Sequence, residues 1–196
     1  MKIKDLKTFV VGNPPPHHGG RYFVFLKLVT DDGIEGVGEV YCATFGPHTM
    51  AKMIEDVFQQ PVEGMDPFQI ETLWRQVYGR GYTLRPDVSL MGGLSGLEMA
   101  LWDIWGKAVG KPVYELLGGR VHEGLRSYTY LYPKTGTVYA DDGPNVYNDP
   151  DLAAEAAAEC VAQGFTGIKF DPAGPYSVFD PRQPSLESMD RSELFC

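Results

Sequence analysis

Apolar residues in the first 41 positions fall into three short runs that are rich in β-branched and aromatic side chains. The runs cover residues 3–11, 22–30 and 34–41, and each is bounded by turn-forming residues. This combination is typical of β-strands. Asp31-Asp32-Gly33 separates the second run from the third, and its glycine accepts the positive φ that a tight hairpin turn requires. The pattern therefore predicts an antiparallel sheet of three strands.

Two helices are predicted to follow, over residues 49–59 and 67–78, and to cover one face of this sheet. Asp66 and Pro67 form a favourable pair for the start of the second helix, because aspartate caps a helix and proline suits its first turn.

A third helix is predicted where Ser95 lies three residues before Glu98, the spacing of a capping box, so we expect the helix to begin at Ser95. Gly110 is suited to close its last turn and Pro112 to open the next helix. Asp103 and Lys107 stand four residues apart in the order that favours an ion pair. Apolar residues recur along one face of this helix, as is typical of a helix packed in a protein core. They are Leu97, Leu101, Ile104, Trp105 and Ala108.

The pattern changes after residue 120. Residues 125–131 and 165–171 are typical of strands, and an alanine-rich helix is predicted between Asp149 and Gly164. A strand, crossover helix and strand make a parallel pair, so a second domain is predicted to begin near residues 120–125.

The order of residues just before this boundary is more specific than the spacing of the apolar residues. Ala-Leu-Trp-Asp, Gly-Lys, Gly-Lys-Pro and Leu-Leu-Gly-Gly-Arg follow one another within residues 100–120. This string resembles the mandelate racemase and muconate lactonizing branch of the enolase superfamily, and the amino-terminal strands, their loops and residues 167–172 resemble it too. The resemblance implies an α+β capping domain over residues 1–124, then the first strands and helix of an incomplete (β/α) barrel over residues 125–196. A complete barrel needs about 250 residues, so we expect a truncated enzyme.

Lys169 and Asp171 are the candidate catalytic residues. Alternation along a strand places both side chains on one face. A solvated strand end with an ordinary ion pair is one explanation. The resemblance implies a functional pair inside the barrel, where the family has Lys-x-Lys and this chain has Asp171 at the second position. A neighbouring carboxylate favours the charged ammonium of Lys169. We therefore expect Lys169 to act as a fixed positive charge for a substrate carboxylate or enolate, and not as the base.

The loop over residues 12–20 holds His17 and His18 together with three prolines and several glycines. The resemblance implies that this loop lies over the barrel mouth and that both histidines bind substrate; the alternative is that they are simply exposed. Two adjacent histidines lack the spacing of a defined set of metal ligands.

Tyr132 is a further candidate for substrate binding, because it alternates with Tyr128 and Tyr130 along the first predicted barrel strand. The three rings are suited to wall a pocket, although packing in a core or an interface explains them as well. Cys42 follows the third strand, and a small buried thiol explains it better than a nucleophile, since no activating base is near it in sequence.

Composition excludes some partners. The net charge of −9 offers no broad basic face, so neither nucleic acid nor an anionic membrane is expected to bind. The three cysteines are odd in number and far apart, which is typical of reduced thiols in a cytoplasmic protein.

The resemblance implies an acid-sugar dehydratase of the galactonate or gluconate type, a lyase that forms a 2-keto-3-deoxy acid. It also implies Mg²⁺, with ligands expected beyond residue 196, and a homo-oligomer at full length. Two alternatives remain open: a racemase or cycloisomerase on the same scaffold, and a non-catalytic truncated module that keeps only the assembly surface of the capping domain.

Overall fold

An antiparallel sheet in the order β1-β2-β3 opens the chain, as predicted. The computed structural model describes residues 1–14, 19–41, 45–79, 88–132, 146 and 149–170. The elements are β1 (Ile3–Gly12), β2 (Tyr22–Thr30), β3 (Glu35–Val40), α1 (Pro47–Val57), a π-helical turn (Phe58–Val62), α2 (Ile70–Tyr78), α3 (Val88–Val109), α4 (Val113–Leu116), β4 (Thr129–Tyr130), α5 (Pro150–Ala162) and β5 (Ile168–Lys169).

The described residues divide into two compact units, and the division falls between Val121 and His122. Pro14 and Gly19 belong to the second unit and the other described residues before His122 to the first. Among the described residues, no helix has the length and apolar character needed to cross a membrane.

The first unit is held together by the inner face of the sheet. Gly33 adopts a φ of 88° in the hairpin between β2 and β3, as its position predicted. Val24, Leu26 and Leu28 alternate along β2 with at most 1% of their surface exposed. They pack with buried side chains of α1, α2 and α3, so the predicted α+β arrangement is confirmed.

The start predicted for the third helix is wrong, because α3 is helical from Val88 onward and Ser95 lies exposed in its interior. Gly92 and Gly96 weaken the helical signal before Glu98, since glycine is a poor helix former. In the fold they allow a close approach to the sheet: a Cβ on Gly92 would lie 2.4 Å from the carbonyl oxygen of Tyr41, and one on Gly96 would lie 2.5 Å from Cγ2 of Val40. Packing against β3 therefore outweighs the local propensity.

Glu98 joins two helices instead of capping one. Its carboxylate accepts a hydrogen bond from the indole of Trp74 in α2 (2.5 Å) and another from the indole of Trp102 in α3 (3.3 Å). Trp102 stacks on Trp105 with ring centroids 4.8 Å apart. All three tryptophans of the chain thus belong to one cluster around this carboxylate.

Glu98→Ala is expected to lower the free energy of unfolding by about 1 to 3 kcal/mol, because two half-buried indole donors lose their acceptor. Tryptophan emission should shift with it, which intrinsic fluorescence during urea unfolding measures. Ser95→Ala is the matched control and should change stability by no more than about 0.5 kcal/mol. If Ser95→Ala lowered the free energy of unfolding by about 1 kcal/mol or more, Ser95 would act as the helix cap that the sequence predicted.

The outer edge of β3 is covered by the predicted ion pair of α3. Asp103 accepts a hydrogen bond from the backbone N–H of Val37 (2.9 Å), and Lys107 donates one to the carbonyl of Glu35 (2.6 Å). The two side chains also pair with each other at 2.8 Å. Strand-edge groups that would otherwise remain open to another chain are therefore occupied.

The second unit contains the predicted parallel pair. β4 and β5 are parallel, with Thr129 opposite Ile168 and Tyr130 opposite Lys169. α5 connects them, and the carboxylate of Asp149 caps it by accepting hydrogen bonds from two backbone N–H groups of its first turn. The strands are shorter than the predicted runs 125–131 and 165–171, because the described ladder pairs only two residues of each.

Candidate functional site

The parallel strands of the second unit present two chemically different faces. Leu131 is 3% exposed and packs with Ala156 of α5, and Ile168 is part of the same apolar cluster. Side chains alternate along a strand, so Tyr130 and Lys169, which are opposite each other in the register, share the other face. The face opposite Leu131 and Ile168 therefore carries Lys169, while Tyr130 is partly buried and also packs against the apolar cluster.

Lys169 is exposed and lies beside an aromatic ring. Its Nζ is 5.8 Å from the ring centroid of Tyr130, within the range of a cation–π contact. The backbone carbonyl of Lys169 accepts a hydrogen bond from the N–H of Leu131 (3.1 Å), which holds this residue in the ladder. The arrangement presents a positive charge at the carboxyl end of β5.

Tyr132 lies two residues after the end of β4, and its ring lies beside that of Tyr130. Its ring centroid is 5.6 Å from that of Tyr130, with the ring planes inclined at 50°. Its hydroxyl oxygen accepts a hydrogen bond from the backbone N–H of Gly19, 3.0 Å away and 113 residues earlier in the chain. Gly19 adopts a φ of 81°, which only glycine adopts at little cost. Tyr132 thus contacts both the loop before β2 and the ring beside Lys169.

Arg126 is a residue that sequence reasoning did not single out. Its Nε donates to Oγ1 of Thr166 at 2.7 Å, and a second guanidinium nitrogen donates to the carbonyl oxygen of Thr166. These residues precede β4 and β5, so they join the strands at the end opposite to Tyr132. The contact spans 40 positions, and no local pattern in the sequence indicates it.

The structure places two of the five predicted site residues. Lys169 and Tyr132 lie on one face and are linked through the ring of Tyr130. His17, His18 and Asp171 lie outside the described residues, and so does Cys42.

A metal site is not formed by the residues that are described. Within those ranges, three or more histidine, cysteine, aspartate or glutamate side chains nowhere come together in a way that would hold a metal ion.

Comparison with known proteins extends these observations. Residues 17–118 match the family model for the mandelate racemase / muconate lactonizing enzyme, N-terminal domain. The chain is 41% identical over 131 residues to a D-galactonate dehydratase of Variovorax paradoxus. The aligned residues make up 67% of this chain and 31% of that relative. It therefore spans about a third of the length of this curated relative.

Two solved structures share the fold. One, from Labrenzia alexandrii and assigned to the mandelate racemase/muconate lactonizing enzymes, is 66% identical with a TM-score of 0.84 and is matched over all of this chain and 49% of its own. The other is an enolase from Agrobacterium radiobacter assigned as a galactarate dehydratase, with bound sodium and L-malate. It is 28% identical, with a TM-score of 0.69, over 88% of this chain and 38% of its own.

Proposed function

This chain belongs to the mandelate racemase / muconate lactonizing enzyme family through its N-terminal domain, and from that premise we propose that it is part of an acid-sugar dehydratase. In the proposed reaction a base removes the proton next to the carboxylate of the sugar acid. The hydroxyl on the next carbon takes up a proton and leaves as water. The resulting enol becomes a 2-keto-3-deoxy acid, so the overall change is the loss of one water molecule.

The observation that carries this proposal is the position of Lys169. Its ammonium lies at the carboxyl end of a parallel strand, on the face away from α5, beside Tyr130. Loops and side chains at the carboxyl ends of barrel strands form the active sites of (β/α) barrels. We propose that residues 125–196 begin such a barrel and that residues 1–124 form the capping domain.

The proposed role of Lys169 is electrostatic. The chain carries a net charge of −9, which repels an anionic acid at long range, so a local positive charge is needed at the site. A fixed ammonium stabilises both the substrate carboxylate and the negative charge that develops when the α-proton leaves. Lys169 therefore binds and orients the acid, and the base is a different residue.

The named relatives support a sugar-acid substrate. The relative from Variovorax paradoxus is named for galactonate, and the structure from Agrobacterium radiobacter, assigned to galactarate, holds L-malate. All three molecules are hydroxy acids that carry a carboxylate. This favours dehydration of an acid sugar over a racemase or a cycloisomerase.

The other roles are proposed on the same basis. His17 and His18 contact the hydroxyl groups of the acid, Asp171 forms an ion pair with Lys169, and the ring of Tyr132 lines the pocket. Mg²⁺ is proposed with ligands after residue 196, as the resemblance to the enolase superfamily implies. We propose a cytoplasmic enzyme that assembles as a homo-oligomer.

The test is to express the product of the complete reading frame and incubate it with a panel of aldonic and aldaric acids. Semicarbazide should reveal a keto acid with at least one of them. An epimerised acid without keto acid, seen by NMR, would support the racemase instead, and no conversion of any acid would support the non-catalytic module. The matched control is the same protein with Lys169→Met, which should form far less keto acid.

A further inference from the structure

Three contacts connect the backbone of Gly19 to the ammonium of Lys169. The N–H of Gly19 donates to the hydroxyl of Tyr132 at 3.0 Å, and the ring of Tyr132 lies 5.6 Å from the ring of Tyr130. The ring of Tyr130 lies 5.8 Å from Nζ of Lys169. All four residues belong to the second compact unit, so the path is continuous within one body.

The ammonium of Lys169 needs a neighbouring group to restrict its position. A lysine side chain has a flexible stem of four carbons, and this one is exposed. The negative face of an aromatic ring attracts an ammonium and restricts where it lies. Tyr130 supplies that ring directly opposite in the parallel register, on the same face as Lys169.

At the other end of the path lies the hydroxyl group of Tyr132. Tyr132 uses its oxygen to accept from a backbone amide, and its ring plane is inclined at 50° to that of Tyr130. Inclined aromatic pairs at this separation attract each other through their quadrupoles. Tyr132 therefore contacts the backbone of Gly19 through its hydroxyl and the ring of Tyr130 through its own ring.

We propose that Tyr130 and Tyr132 are positioning residues: Tyr130 holds the ammonium of Lys169 in place for the carboxylate of the acid, and Tyr132 fixes both Tyr130 and the backbone at Gly19. This inference rests on the proposed function for its catalytic meaning, but the contacts themselves can be tested without turnover. It gives the hydroxyl of Tyr132 a role toward the protein's own backbone, beyond that of a pocket wall.

The first test measures the amide of Gly19 by hydrogen exchange in the product of the complete reading frame. Tyr132→Phe removes one oxygen atom and keeps the ring. Exchange at Gly19 should accelerate by roughly fivefold, the factor that corresponds to a hydrogen bond worth about 1 kcal/mol. Tyr128→Phe is the matched control, because Tyr128 lies on the same face and is 64% exposed. In this control variant the exchange rate of the Gly19 amide should stay unchanged. Equal exchange in the Tyr132→Phe variant and the parent protein would overturn the assignment.

The second test follows the ε-methylene protons of Lys169 by NMR with labelled lysine. An aromatic face shifts nearby protons upfield, so Tyr130→Leu should move this signal to the position of a solvated lysine. Tyr132→Leu should move it part of the way, whereas Tyr132→Phe, which keeps the ring, should restore the parent shift. A signal that stays in place in Tyr130→Leu would overturn the role of Tyr130.

A third measurement connects the positions to catalysis. In an active protein, Tyr130→Leu should lower kcat/KM about tenfold, because a displaced ammonium weakens both binding of the acid and stabilisation of the developing enolate. An unchanged kcat/KM would overturn the positioning role. If no acid is converted at all, the proposed function fails, while the exchange and NMR tests still decide this inference.

Discussion

Lys169→Met is expected to lower kcat/KM for the sugar acid by about 100-fold or more in the product of the complete reading frame, because it removes a preorganised charge from the developing enolate. Methionine preserves most of the length and apolar contact of the lysine stem, so the loss reports on the ammonium. Keto-acid formation measured with semicarbazide over a range of substrate concentrations gives the value.

Lys52→Met is the control for this substitution. Lys52 is an exposed lysine of α1 that pairs with Glu55 at 2.7 Å, and its loss should change kcat/KM by less than about twofold. Near-normal turnover by the Lys169 variant would show that the ammonium has no part in the reaction, and the proposed site would then be wrong.

Gly38→Ala is expected to cause the largest loss of stability, about 3 kcal/mol, with a fall of about 10 °C in Tm. A Cβ on Gly38 would lie 1.9 Å from the carbonyl oxygen of Gly96 and 2.8 Å from its carbonyl carbon. These are backbone atoms, so no side chain can rotate away and α3 must separate from β3. Thermal unfolding followed by circular dichroism measures the effect.

Gly12→Ala is the matched control, because Gly12 also lies in a strand of the sheet and a Cβ there meets no atom within 4 Å. Its effect should stay within about 0.5 kcal/mol. An equally stable Gly38 variant would mean that α3 and β3 are farther apart than described here.

The sheet was predictable because its signals are local. Asp31-Asp32-Gly33 supplies the turn, and the three runs supply the strands that the turn pairs. The two ends of α5 were predictable for the same reason. The carboxylate of Asp149 accepts hydrogen bonds from backbone amides two and three residues away, and Gly164 adopts a φ of 94°.

The start of α3 was not predictable from local signals, because tertiary contacts decide it. The spacing of Ser95 and Glu98 has the form of a capping box, yet the carboxylate accepts from Trp74, 24 residues earlier. Gly92 and Gly96 weaken the helical pattern at the same place, and only the neighbouring strand shows why they are needed.

The candidate site was predictable only in part. Alternation along one strand indicated that Lys169 and Asp171 share a face of β5, and Asp171 lies outside the described residues. The register that places Tyr130 opposite Lys169, and the contact of Tyr132 with Gly19 across 113 residues, depend on the folded chain. Three of the five candidate residues lie outside the described residues, so their roles stay proposals.

The most direct measurement is a crystal structure of the product of the complete reading frame with bound galactonate. The proposed function requires the Nζ of Lys169 to lie within hydrogen-bonding distance, about 3 Å, of the carboxylate or of the hydroxyl beside it. The ring of Tyr130 should remain against the ammonium in that complex. An acid bound elsewhere, with the Lys169 ammonium directed into bulk solvent, would contradict the assignment.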